Sequence, residues 1–192
     1  MNLIACQNCC REVPGFDIVH YGDMETGYRD MCSRCFNDRI ASGAALDSVF
    51  TTFQPIALTD ARGLRHIFHL RLLDLGDRVT LDALEVRDDE RDGYQFQALG
   101  EAGVDPFDLL ARLLKRIRRA LAQTHLVERG QRWEIDDRLV RGRITSDLDR
   151  PTSTPVVIID GREISWNDFG EMLLTFEGWQ FELAIHDPSD DT

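Results

Sequence analysis

The sequence predicts an α+β fold in two parts: a small cysteine-rich module, then an antiparallel sheet with two helices packed on one face. Three observations predict it. All five cysteines of the 192-residue chain fall at or before Cys35. Three apolar runs with short connections follow from Arg65 onward. Two later segments carry apolar residues at helical spacing, each behind a clear N-cap.

The module is expected over residues 1–50. Cys6-Gln7-Asn8-Cys9 and Cys32-Ser33-Arg34-Cys35 have the spacing that lets two thiolates grip one metal from a tight turn. Twenty-two residues separate the pairs, enough for a hairpin that brings them together. One pair alone would also suit a redox protein. Two point to a single structural Zn²⁺ held by Cys6, Cys9, Cys32 and Cys35. Four thiolates leave no position for water, so the metal is expected to hold the fold rather than to catalyse. Such a short segment cannot build a useful core alone, and it is expected to unfold when zinc is removed. Arg11 and Arg34 stand beside the ligands and offset the excess negative charge of the site. Cys10 is the spare thiol, and His20 is the alternative ligand between the pairs.

Phe16–Tyr21 and Gly27–Met31 read as two short strands around a Gly-containing turn, and Phe36–Ala41 as a short helix. Knuckle, hairpin, second pair and helix in this order resemble a treble-clef or zinc-ribbon-like finger. The resemblance implies a fold element that serves DNA binding, protein binding and scaffolding alike, so it transfers no activity. Iron in a rubredoxin-like site is the alternative. That family's second pair reads Cys-Pro-x-Cys-Gly, whereas here it is Cys32-Ser33-Arg34-Cys35-Phe36.

A boundary is expected between Ser42-Gly43 and Gln54-Pro55, and the α+β unit over residues 55–187. Arg65–Leu72, Val79–Val86 and Tyr94–Leu99 read as three strands of an antiparallel meander. The first helix starts at Asp105 as N-cap, with Pro106 at the first helical position and Asp108 at the third. Val104 and Leu109 are placed as a hydrophobic staple, and Leu110, Leu113, Leu114, Ile117 and Leu121 as the buried stripe. Pro155–Ile159 and Arg162–Ser165 form a hairpin across Asp160-Gly161, a dipeptide that tight primed turns favour. Ser165 caps the second helix, with Trp166, Phe169, Met172, Leu173 and Phe176 on one face and Ile164 against Phe169 as a staple. Gly178 is placed as its stop and Trp179–Ile185 as a closing strand, before a loose acidic tail over 188–192.

The stretch from Arg141-Gly142-Arg143-Ile144 through Ile159-Asp160-Gly161-Arg162 to Gly178-Trp179-Gln180-Phe181 resembles a domain seen in uncharacterised bacterial proteins. The resemblance implies a bacterial origin and carries no activity.

The formal charge of −12 opposes general binding to nucleic acid or to an anionic membrane, both of which are polyanions. Reduced, metal-bound cysteines fit a cytoplasmic protein, and no apolar run reaches the ~18 residues that cross a bilayer. Enzyme signatures are missing: there is no Gly-x-Ser-x-Gly, no Gly-Lys-Ser/Thr and no Gly-x-Gly-x-x-Gly. Acidic groups gather at Glu134, Asp136, Asp137, Asp147, Asp149 and Asp160. The common nuclease core also needs a lysine two residues after an acid, and the single lysine, Lys115, follows Leu113. His66 and His69 invite a second-metal reading, but three residues apart on a strand they point to opposite faces.

The leading expectation is therefore a zinc-stabilised interaction or regulatory module whose partner is a protein. The first alternative is nucleic-acid binding through Arg112–Arg119, with five positive charges in eight residues; those charges can instead pair internally, for example with Asp88-Asp89-Glu90. Against nucleic acid, residues 1–50 carry four arginines to seven carboxylates. The second alternative is an enzyme with a pocket in the α+β unit that uses His66 or His69.

Overall fold

The structure is a computed structural model; it describes residues 3–25, 27–44, 51–87, 93–130, 132–146 and 154–187. The predicted tail over 188–192, the Asp88-Asp89-Glu90 segment, Asp147 and Asp149 lie outside the described residues. The α+β class is borne out, with mostly antiparallel sheets and three helices among the described residues.

The N-terminal segment is a pair of small ribbons and one helix. Strand β1 (Leu3–Ala5) pairs antiparallel with β2 (Glu12–Pro14), and β3 (Ile18–Asp23) with β4 (Gly27–Cys32). Helix α1 (Ser33–Ala44) follows β4 without a break. The first cysteine pair thus sits in the turn between β1 and β2, and the second straddles the junction of β4 and α1.

The central unit is a four-stranded meander: β5 (Ile56–Thr59), β6 (Arg65–Asp74), β7 (Arg78–Glu85) and β8 (Gln95–Glu101), in that order. Its last three strands are the predicted meander; β5 is an addition that sequence periodicity did not reveal. Helix α2 (Pro106–Leu121) starts as expected, with Asp105 accepting a hydrogen bond from the Phe107 amide and Pro106 in the first turn. Its buried stripe is Leu109, Leu113, Ile117 and Leu121. Leu109, which the sequence assigned to a staple, is fully buried, while Leu110 and Leu114 are only half-buried. The stripe packs on Phe68, Leu72, Leu81 and Ala98 of the sheet.

Period-2 alternation gives the sheet two occupied faces. On β6, Leu72 points to α2, while its neighbours Arg71 and Leu73 point to the N-terminal segment. Leu73 enters the cluster of Cys6, Met31, Cys32, Cys35 and Phe36.

Helix α3 (Trp166–Leu173) does not share the face of α2; it lies on a second sheet. That sheet has β12 (Pro155–Ile159) in its centre, flanked by β11 (Gly142–Ser146) and β13 (Arg162–Ser165). A separate hairpin of β9 (Leu126–Arg129) and β10 (Arg132–Ile135) closes the same core. The helices divide because β8 ends the first sheet, and the later strands pair only with one another. The β12–β13 turn is as predicted: Asp160 and Gly161 both take the left-handed conformation, with φ of 51° and 71°, as a type I′ turn requires. Ser165 caps α3 by accepting from the Asp168 amide. Only Met172 of the predicted α3 face is buried; Phe169 and Phe176 are half-buried, and Trp166 and Leu173 are exposed.

The predicted closing strand is not formed. Residues 179–187 have no regular secondary structure and belong to no sheet among the described residues, and Trp179, Phe181, Leu183 and Ile185 are all exposed. The alternation that suggested a strand is real, but a strand also needs an edge to pair with.

Candidate metal centre

The two cysteine pairs converge. The sulfur atoms of Cys6, Cys9, Cys32 and Cys35 all lie within 4.8 Å of one another. Cys9 Sγ and Cys32 Sγ, one from each pair, are 3.9 Å apart. A tetrahedral site with metal–sulfur bonds of about 2.3 Å has sulfur–sulfur edges of about 3.8 Å. The arrangement therefore fits one ion such as zinc.

Local backbone chemistry builds this geometry. The Cys6 amide donates to Arg11 O at 2.9 Å and the Cys10 amide to Cys6 O at 2.8 Å, which closes the first knuckle. Cys10 itself takes φ 59°, the left-handed turn that lets the chain reverse after Cys9. The Gln7 amide donates to Asp30 O at 2.8 Å, and Gln7 Oε1 accepts from the Asp30 amide at 3.2 Å, tying the knuckle to β4. The Cys32 amide donates to Cys6 Sγ at 3.3 Å. Such N–H groups stabilise thiolate charge.

The four thiols differ electrostatically. A hydrogen bond from the Arg11 side chain holds Cys9 down at about 6. Cys6 is opposed by burial, but amides of Cys32, Cys9 and Asn8 outweigh it and lower its pKa. Burial pushes Cys32 up to about 12 and also raises Cys35, the latter despite a hydrogen bond from the Asn8 side chain. Cys9 is thus the natural first ligand to deprotonate. A cation is what would allow Cys32 and Cys35 to ionise where they are.

The spare residues are placed elsewhere. Cys10 is exposed and outside the sulfur cluster. His20 faces Asp30 across the β3–β4 ribbon, its Nδ1 2.6 Å from Asp30 Oδ1, and is not among the four convergent groups. Arg11 approaches Cys9 as the sequence suggested.

A second cluster was not visible in the sequence. His66 is buried on β6, with Nδ1 2.8 Å from Glu85 Oε1 and Nε2 3.3 Å from Asp60 Oδ2. Glu85 also accepts from Arg87 and from the Tyr94 amide, both at 3.1 Å. Asp60 accepts from the amides of Arg62 and Leu64, both at 2.8 Å. Glu85 and Asp60 are thus each held by several donors, while the buried His66 Nε2 makes no hydrogen bond of its own. The cluster forms a polar network at the junction of the central and C-terminal units. Close by, the Gly93 amide donates to Gly161 O at 2.7 Å, and Arg62 donates to Leu126 O. His69 points to the opposite face, as strand geometry requires, and its ring lies 4.4 Å from that of Phe16.

The Arg-rich face of α2 is partly spoken for. Arg112 donates to Leu99 O at 2.8 Å and Arg116 to Gln97 O at 2.6 Å, so both cover the outer edge of β8. Asp160, one of the grouped carboxylates, accepts from the amides of His125 and Leu126 at 2.7 and 2.8 Å.

Three segments of the chain match family models. Residues 5–46 match the Domain of unknown function (DUF7685), residues 51–122 the Domain of unknown function (DUF7686), and residues 122–190 the Domain of unknown function (DUF7713). No curated protein and no solved structure matches the chain. Among the described residues, no helix is long and apolar enough to cross a membrane.

Proposed function

We propose that this chain is a cytoplasmic, zinc-stabilised interaction or regulatory module whose partner is a protein, with a treble-clef-like finger that holds one structural Zn²⁺ through Cys6, Cys9, Cys32 and Cys35. The observation that carries it is the convergence of the four sulfur atoms within 4.8 Å. Four thiolates around one ion exhaust a tetrahedral shell, so such a site supplies folding energy and no Lewis acidity toward a substrate. Packing supports the same role. Leu73 of the central sheet is part of the cysteine cluster, so a metal there would brace the sheet as well as the finger. The charge of −12 suits a basic protein surface.

The test is affinity capture with the full chain, run in parallel with Cys32→Ser. A specific basic protein retained in stoichiometric amount by the parent and lost with the variant supports the reading. Recovery of no specific protein by the parent contradicts it.

A further inference from the structure

Residues 179–185 read Trp-Gln-Phe-Glu-Leu-Ala-Ile, with apolar side chains at every second position. That is the pattern of a strand with one face on a core. Yet the segment belongs to no sheet, and its apolar residues are open to solvent: Trp179 by 57%, Phe181 by 90%, Leu183 and Ile185 by 72% each. Its root is fixed. The Trp179 ring lies 5.6 Å from that of Phe176 and 5.0 Å from the guanidinium of Arg138. Four alternating apolar residues left in water is a cost that monomeric proteins rarely carry.

The same unit has an edge that fits it. Strand β11 ends the β11-β12-β13 sheet. Across that sheet Ile144 pairs with Val157, and Val157 with Ile164. Val157 and Ile164 are buried in the core beneath α3, but Ile144 in the same row is 54% exposed. Among the described residues no strand covers the core face at β11. One more strand laid there with its apolar side on the Ile144 face would complete the row.

The opposite faces also agree. A strand with Phe181 and Leu183 beside Ile144 puts Gln180 and Glu182 on the face of Arg143. Charge is complementary over the whole stretch. Residues 177–187 carry Glu177, Glu182 and Asp187 and neither lysine nor arginine; residues 138–146 carry Arg138, Arg141 and Arg143 and no carboxylate.

We propose that residues 179–185 of one copy add as a strand to β11 of a second copy, reciprocally, to form a two-fold dimer. The two complementary elements lie on one chain, so each copy offers one donor strand and one acceptor edge, as an isologous contact requires. Trp and Phe side chains each bury about 150–250 Å². Two reciprocal segments with the edges they cover reach the ~1,200–2,000 Å² of a stable specific interface. The dimer is independent of the metal centre, which lies in another unit.

The experiment is light scattering coupled to size exclusion on the full chain, the Leu183→Pro variant and the Phe181→Ser/Leu183→Ser variant. Proline removes the amide that a paired strand donates, and the serines remove the apolar face. Because these residues are exposed in the single chain, unchanged thermal unfolding at low concentration verifies that the variants fold. The parent is expected at twice the 22.0 kDa chain mass, and both variants at the chain mass with at least tenfold weaker association. Amide exchange over 179–185 is expected to slow in the parent dimer and to be fast in the variants. A parent that stays at the chain mass overturns the proposal, whether its segment folds back on its own β11 or binds phosphatidylcholine vesicles. A dimer that both variants leave intact also overturns it.

Discussion

His66 Nδ1 lies 2.8 Å from Glu85 Oε1, with both side chains buried and Asp60 Oδ2 3.3 Å from the other ring nitrogen. The imidazole fills the space between two buried carboxyl groups and hydrogen-bonds one of them. His66→Ala is expected to destabilise the chain by about 1–3 kcal/mol, since it leaves the buried Glu85 Oε1 without its hydrogen bond. Urea unfolding measures it. A loss under about 1 kcal/mol would mean that the network contributes little.

Asn37 joins α1 to the central sheet. Its Nδ2 donates to Leu72 O at 3.0 Å and its Oδ1 accepts from the Asp74 amide at 2.9 Å, so the side chain copies a strand at the end of β6. Asn37→Ala leaves both backbone groups without partners and is expected to cost about 1–3 kcal/mol. Faster hydrogen exchange at the Asp74 amide is the specific readout; unchanged exchange there contradicts the assignment.

Arg71 makes the second joint. Its guanidinium donates to Phe16 O at 2.8 Å, Ile18 O at 2.9 Å and Asp82 Oδ2 at 2.9 Å. Arg71→Met keeps the stem and loses the fork, and is expected to cost about 1.5–3 kcal/mol. Limited proteolysis then cleaves the N-terminal segment faster than in the parent. Equal cleavage rates would show that the joint is not needed.

Burial holds His69 below its ordinary value of 6.5. As pH falls, the unfolded chain takes up this proton before the folded chain does. Stability from His69 is thus intact above pH 6.5 and declines as pH drops below it. The imidazole's midpoint by NMR is expected below 6.5, and His69→Phe is expected to flatten the stability profile over that window. A midpoint at or above 6.5 contradicts the assignment.

Arg112 and Arg116 cover backbone carbonyls of β8, so their replacement is expected to act on stability. Arg112→Glu with Arg116→Glu should lower stability by about 1–2 kcal/mol and leave retention on immobilised nucleic acid unchanged. A salt-sensitive retention that the double variant abolishes would restore the nucleic-acid alternative.

What the sequence disclosed was local. Cysteine spacing identified the convergent residues because each knuckle is a four-residue turn whose chemistry is set by its own backbone. Asp105, Ser165 and Asp160-Gly161 were legible for the same reason: caps and primed turns are decided within a few residues. The His66 cluster was hidden because Asp60 and Glu85 are joined to it by strand register, which no spacing rule encodes. The division of α2 and α3 between two sheets was hidden too, since it depends on which edges pair. Residues 179–185 show the limit most clearly. Their alternation states that one face wants a core, and says nothing about whose core it is.

The central claim is the metal, and one measurement addresses it directly: elemental analysis of protein purified without added metal, with thiols counted before and after chelation. The expected result is one zinc per chain and one reactive thiol, Cys10, rising to all five cysteines once zinc is removed, together with loss of structure in the N-terminal segment. Iron in place of zinc, or a metal-free chain with five reactive thiols and an intact fold, would contradict it.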